Sequence, residues 1–259
     1  SPQLSFLPPL PTEERNRKYG SVYTPQFVAR FFARFLREQM PPSVFRRVRA
    51  IDPACGSGIF LRTLLELQCA SPYDGMASAE IEALFKNVEG IDIDENAARA
   101  TQLSLSLLYL VLMSGDLPKS LNVKAADALW EATNHKIAQD SYDAVIANPP
   151  FVSRDDQPPN VRQAVADFMG DLAIGRVDTY LPFLKIAVDA LKSGGYGLFV
   201  LPHTFLRNVS AQKVRALLHE QTWIRCLVDL SAIPVFKEFG SYVILLVFQK
   251  KVEQTLIAP

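Results

Sequence analysis

Cysteine and histidine are scarce in this chain, with three of each among 259 residues. The thiols of Cys55, Cys69 and Cys226 are odd in number and unpaired by spacing, which excludes a disulfide framework. With so few histidines beside them, no zinc or other metal site is expected. Long apolar runs are missing as well. No stretch reaches the ~18 residues that span a bilayer, and no basic-then-apolar leader opens the sequence. A reducing, cytoplasmic setting away from membranes is the expectation. Nor is there a surplus of cations: 27 Lys and Arg are balanced by 27 Asp and Glu. Proteins that grip duplex nucleic acid unaided usually carry such a surplus, because phosphate contacts supply most non-specific affinity. Two basic clusters, Arg15-Arg17-Lys18 and Arg46-Arg47-Arg49, are local exceptions, and each reads as readily as a solvated face.

What is present is enough apolar material for a sizeable core: 49% of residues are hydrophobic and 21% charged, as in an ordinary globular domain. Residues 1–17, with a proline-rich beginning that lacks an initiator Met, read as a linker or extension, and the chain is expected to be cut from a longer one. From Pro25 to Arg37 the apolar residues Phe27, Val28, Phe31, Phe32, Phe35 and Leu36 recur at helical spacing. Beyond that, strands and helices alternate. Strands are predicted at 48–51, 88–91, 121–125, 144–147 and 197–201, with helices at 59–69, 95–113, 178–191 and 211–219. Ser193-Gly194-Gly195 reads as a glycine cap on the third of these helices. Two last strands, 224–230 and 242–248, lack a helix between them and predict an antiparallel end to the sheet. The fold class is therefore α/β: a doubly wound, mostly parallel sheet with ligands at the carboxyl ends of its strands. Residues 153–160 are expected to form a mobile loop, and Trp223 and the phenylalanines of the first helix read as core.

Three strand ends carry the cofactor argument. Asp52-Pro53-Ala54-Cys55-Gly56-Ser57-Gly58 follows a strand and opens a helix, so that Gly56 and Gly58 permit a tight turn and close ligand approach. A dinucleotide fingerprint would need a small third residue, but Leu61 stands there, which disfavours NAD. Gly90-Ile91-Asp92-Ile93-Asp94 closes the second strand, where an acidic side chain commonly receives a ribose diol. Asp94, followed by Glu95, suits a helix cap. Asp127 after the third strand could accept an adenine amine or cap a helix.

The fourth strand ends in Asn148-Pro149-Pro150-Phe151. Two prolines remove donors and fix φ, freezing the loop. An amide oxygen and the Pro149 carbonyl could hold both hydrogens of a planar, poorly nucleophilic amine such as that of adenine, directing its lone pair at a methyl donor. Phe151 could stack on the base, which would have to be flipped from its duplex.

In this order, Asp52 to Leu61, Gly90 to Asp94 and Asn148 to Phe151 resemble the gamma class of adenine-N6 DNA methyltransferases of restriction–modification systems. Tyr19 to Pro25 looks like the upstream motif of that class. Asp178-Thr179-Tyr180, Gly194 to Gly197, Leu201-Pro202 and Val235-Phe236 also match, so the resemblance runs from about Lys18 to Lys250. It implies a seven-stranded S-adenosylmethionine-dependent (Rossmann-like) catalytic domain over 18–250 with one antiparallel final strand. The cofactor's methionine end would lie along Tyr23, Thr24, Asp52, Cys55 and Gly56. Asp92 would bind its ribose, Ile93 would pack on its adenine, and Asp127 would hold its amine. The substrate implied is double-stranded DNA read by a target-recognition region outside this chain, with 251–259 a tail leading to it. The resemblance departs at Ala128, where relatives often carry an aromatic, and at 208–213, which lacks a second aromatic to sandwich the base. Phe205 is the nearest candidate and also reads as core. His203 suits a structural role. Competing readings are methylation of a glutamine side chain, an RNA adenine or cytosine N4, or an inactive methylase-like binding subunit.

Overall fold

The computed structural model describes residues 24–70, 76–232 and 242–252. Tyr19 to Tyr23, residues 1–17, the basic cluster at 15–18 and Val235-Phe236 lie outside them. The first helix, α1 (Gln26–Gln39), starts at Pro25, whose φ of −64° and ψ of 144° make it the cap rather than a first-turn residue. Val28, Phe32 and Leu36 form its buried stripe, whereas Phe27 stands 48% exposed, against the expectation that all its phenylalanines are core.

Each of the first five strands is followed by a helix. The order is β1 (Ala50–Asp52), α2 (Ile59–Cys69), α3 (Ser78–Lys86), β2 (Val88–Asp92), α4 (Glu95–Leu112), β3 (Asn122–Ala125), α5 (Ala128–Thr133) and β4 (Tyr142–Ala147). Then come α6 (Pro159–Met169), α7 (Tyr180–Ala190), β5 (Leu191–Pro202), α8 (Gln212–Gln221), β6 (Thr222–Asp229) and β7 (Val243–Lys250). The seven strands lie in the order β3-β2-β1-β4-β5-β7-β6. Neighbours from β3 to β5 are parallel, and β7 runs antiparallel to both β5 and β6. The expected fold class and antiparallel final strand are observed.

Alternation along the central strands sorts the core into two layers. Ala144, Ile146, Leu198 and Val200 face α1 and α2, while Val145, Ala147, Phe199 and Leu201 face α6, α7 and α8. Both faces of β4 and β5 are covered, which is why these strands read as continuous apolar runs. Strand order reverses between β1 and β4, and loops on the carboxyl side of those two strands diverge there to leave a crevice.

Three local expectations are corrected. Helix α7 ends at Ala190, and Leu191 is already extended (φ −71°, ψ 136°), so Ser193-Gly194-Gly195 is no helix cap. Leu191 pairs with Tyr142 and Tyr196 with Ala144, so the residues between form a bulge that Gly194 accommodates at φ +79°. Trp223 is 56% exposed, because β6 is the sheet's edge and Trp223 lies on its uncovered side. Finally, residues 153–160 hold a 3₁₀ turn (Arg154–Asp156) and the start of α6, with Pro158 and Pro159 opening that helix instead of breaking it.

Candidate active site

At the end of β1, Asp52 is fully buried and its Oδ1 accepts from the Ala54 amide at 3.0 Å. Its other oxygen, Oδ2, is shielded from solvent and has no hydrogen-bond partner among the described residues. Burial, with a smaller contribution from the charge of Asp92, pushes the Asp52 carboxyl well above the usual carboxylate range. The turn that follows is built on left-handed glycines, Gly56 at φ +54° and Gly58 at +77°. A Cβ on Gly58 would come within 2.9 Å of Thr101 on α4, so this glycine is required for close packing. A Cβ on Gly56 would meet nothing within 4 Å, which leaves its face open to a ligand. Thr101 also braces the loop by donating to the Gly56 carbonyl at 2.9 Å.

Asp92 ties the first two strand ends together. Its Oδ2 accepts from the Gly56 amide at 2.8 Å and its Oδ1 from the Asp94 amide at 2.9 Å. A carboxylate has about four acceptor sites, the hydrogen-bonding chemistry that a diol requires. Beside it Ile93 is 60% exposed, an apolar surface at the rim of the crevice. Asp94 and Asp127 both cap helices, accepting from Asn96 and Leu129 at 2.9 and 2.8 Å, and Asp127 remains exposed. The Cys55 thiol faces inward, against Gly90 and Thr101, and burial raises its pKa. Only the main chain of that residue is turned toward the loop.

Across the crevice, Asn148-Pro149-Pro150-Phe151 leaves the end of β4. The Asn148 Nδ2 donates to Thr24 Oγ1 at 3.0 Å. This bond joins two residues 124 positions apart and ties the amide to the start of α1. The Phe151 ring is partly exposed and meets Tyr180 edge-on at 6.3 Å, and Tyr180 meets Phe205 in the same way at 6.3 Å. Phe205 is 3% exposed, so it belongs to the core under Phe151 and not to the crevice.

The structure thus brings Thr24, Asp52, Gly56, Asp92, Ile93 and Asn148 to Phe151 to one edge of the sheet, with Asp127 on the next strand end. It does not bring the basic cluster there: Arg46, Arg47 and Arg49 precede β1 and lie at the opposite, amino end. Arg49 stacks over Tyr142 at 4.7 Å. His203 Nε2 lies 3.7 Å from Asp229 Oδ2, a structural pairing. Sequence reasoning missed Thr101 and quoted Thr179 only within Asp178-Thr179-Tyr180, without giving it a role. The donor set fits S-adenosylmethionine. The orphaned Asp52 oxygen suits its ammonium group, the open face of Gly56 permits close approach, and exposed Ile93 offers a surface for its adenine. Among the described residues, no cluster of three or more His, Cys, Asp or Glu is placed to hold a metal, and no helix is long and apolar enough to cross a membrane.

Comparison with known proteins agrees with this geometry. The family described as Eco57I restriction-modification methylase matches residues 86–236, more than half of the chain. The type II methyltransferase M.BanIII of Aneurinibacillus aneurinilyticus is 25% identical over 228 residues, covering 86% of this chain and 37% of its own length. The M protein of the type I restriction enzyme EcoKI superposes with a TM-score of 0.64 at 17% identity, over 91% of this chain and 45% of that one. A Listeria monocytogenes protein assigned to the class I S-adenosylmethionine-dependent methyltransferases gives 0.61 at 20% identity, over 93% and 64%. These superpositions establish the fold. The chain spans only about a quarter to two-fifths of the length of the curated relatives it matches.

Proposed function

This chain belongs to the Eco57I restriction-modification methylase family, and from that premise we propose that it methylates the exocyclic amine of adenine in DNA, using a base flipped out of the duplex. The observation that carries this reading is the seat of Asn148-Pro149-Pro150-Phe151. The tetrapeptide leaves β4 beside Asp52 of β1, at the reversal of strand order, with the amide of Asn148 oriented by Thr24.

When bound, S-adenosylmethionine supplies an electrophilic methyl group on a sulfonium. Asp52, the Gly56 loop and Thr24, together with Tyr23 and the main chain of Cys55, hold its methionine end. Asp92 takes the ribose, Ile93 supports the adenine ring and Asp127 accepts its amine. On the substrate side, Asn148 Oδ1 and the Pro149 carbonyl accept the two hydrogens of the target amine. That pair of bonds draws the nitrogen toward tetrahedral character and aims its lone pair. No carboxylate base is required, because the methylated amine is acidic enough to release its proton afterwards. Phe151 stacks on the flipped base, a contact worth ~1–3 kcal/mol in comparable cases.

We assign sequence recognition to a region outside this domain, because the described residues are taken up by the sheet and its helices. The test is mass analysis of nucleosides from DNA treated with the chain and S-adenosylmethionine. N6-methyldeoxyadenosine, lost in Asn148→Ala with cofactor binding retained, is the expected result. N4-methyldeoxycytidine, or methylation of protein glutamine but not DNA, overturns it.

A further inference from the structure

Asp178-Thr179-Tyr180 begins a helix on the far side of the sheet from the cofactor loops, and nothing in the mechanism above uses it. Several of its contacts run to the catalytic loop. Thr179 Oγ1 donates to the Pro150 carbonyl at 2.6 Å and accepts from the Val152 amide at 2.9 Å, so a single hydroxyl straddles Phe151. The Thr179 main-chain amide donates to the Val152 carbonyl at 3.1 Å. One residue further on, the Tyr180 ring stands against the edge of Phe151. Two flanking contacts extend the seam: Asp178 Oδ1 accepts from the Arg154 amide at 3.3 Å, and buried Gln157 donates from Nε2 to the carbonyls of Val152 and Val177 at 3.2 and 3.0 Å.

The covalent chemistry of the loop shows why an outside hydroxyl is needed. Pro149 and Pro150 have no N–H, so the loop cannot brace itself with turn hydrogen bonds at those positions. Asn148 and Pro149 each precede a proline, which confines their ψ angles to the extended range and so sets the Pro149 carbonyl. Pro150 precedes Phe151, and no such restriction acts on its ψ. That torsion decides where Phe151 and the rest of the loop point, and the bond from Thr179 to the Pro150 carbonyl is what fixes it.

We propose that Thr179 is a positioning residue for methyl transfer: its hydroxyl locks ψ of Pro150 in the Asn-Pro-Pro-Phe loop and so places Phe151 against the acceptor base. The inference rests on the reading of that loop as the methyl-acceptor site. Thr179→Val keeps the side-chain volume and removes both hydroxyl bonds, whereas Thr179→Ser keeps the hydroxyl. With DNA as acceptor, Thr179→Val is expected to lower kcat about 10- to 100-fold, the size of effect a small misplacement produces. The dissociation constant for S-adenosylmethionine should stay within two- to threefold of wild type, and Thr179→Ser should restore most of kcat. Unchanged kcat in Thr179→Val, a loss confined to cofactor affinity, or a serine variant as impaired as the valine one each overturns the proposal. Amide hydrogen exchange of the full chain separates this from the acceptor assignment. If the wild-type chain transfers methyl groups to no DNA, the functional reading has failed and exchange decides the clamp. Faster exchange at 151–153 in the valine variant but not the serine variant then supports it, and equal exchange overturns it.

Discussion

At the scale of single residues, the site sets stability against ligand binding, and Asp52 shows it most directly. Its carboxyl is buried, half-satisfied and close to Asp92, so the fold favours its neutral form. A carboxyl whose pKa is raised by folding contributes stability below its unfolded value, and that contribution disappears as pH rises through the folded value. Asp52→Asn keeps the acceptor for the Ala54 amide and abolishes the charge. The ligand-free variant should therefore melt higher at neutral pH, by roughly 2–4 °C for about 1 kcal/mol in a domain of this size, and the gain should vanish in acid. The same variant should bind S-adenosylmethionine about 10- to 100-fold more weakly, the usual value of a charge-assisted hydrogen bond. Wild-type affinity should itself fall as pH drops below the raised pKa, while that of the variant stays flat. Calorimetric titrations across pH check both; a variant that binds as tightly as wild type would remove Asp52 from the cofactor site. Thr24 separates two roles in a similar way. As a wall of the cofactor site it would affect mainly the KM for S-adenosylmethionine. As the partner of Asn148 Nδ2 it helps to hold that amide in place. Thr24→Val is therefore expected to lower kcat about tenfold or more, with steady-state kinetics on both substrates as the measurement.

At the scale of elements, legibility followed the strength of the local signal. Helix α2 was read to its observed ends because a left-handed glycine starts it and apolar residues recur through it. Strands β4 and β5 were visible as apolar runs because helices cover both of their faces. Helices α3 and α5 were not read: they are short, and their buried residues show no long periodicity. The 153–160 stretch was misread because Pro158-Pro159 looks like a breaker in a sequence and is a helix start in three dimensions. Gly194-Gly195 misled in the opposite way, since a glycine pair can cap a helix or relieve a bulge and only the register of β4 with β5 decides. At the site, the strand-end acids and the Asn-Pro-Pro-Phe loop were legible because their residue types are dear to bury or to constrain. Thr101 and Thr179 were not, because each acts only through a partner distant in sequence. Gly197 was quoted for its motif and acts through packing. A Cβ there would lie 2.1 Å from the Phe248 ring of β7, which is fully buried and stacked on Phe199 at 5.8 Å. The ring has nowhere to go. Gly197→Ala should cost about 1–3 kcal/mol by overpacking, visible as a lowered midpoint in urea, with cofactor affinity unchanged within a few-fold because the β1 and β2 loops are remote from it. A variant as stable as wild type would mean that β7 shifts freely on β5.

At the scale of the whole molecule, the question is how a catalytic edge with little positive charge holds a polyanion. The chain is neutral overall, and the cluster Arg46-Arg47-Arg49 sits at the amino end of the sheet, opposite Asn148. Three of the cations near the catalytic loop are already engaged. Arg176 pairs with Asp155 at 2.6 Å, Arg162 donates to the Gln157 and Asp155 carbonyls, and Arg215 donates to the carbonyls of Phe205 and Asn208. Those bonds hold loops in place and compete with phosphates for these three side chains. Each phosphate contact contributes about 0.9 to the slope of log affinity against log salt. A domain offering three contacts or fewer should thus lose less than about 100-fold in DNA affinity between 50 and 200 mM salt. If sequence recognition lies outside this domain, as proposed, the chain by itself should also spread any methylation over many adenines. Both outcomes follow from one cause, a domain that supplies chemistry and leaves grip and address to another part of the protein. Binding measured across salt, together with mapping of methylated positions on a plasmid, tests them jointly. A slope steeper than about −5, or efficient methylation of a single defined site, would show that this domain reads DNA for itself, and would direct attention to the exposed Leu206 and Val209 turn after β5 as the surface that does so.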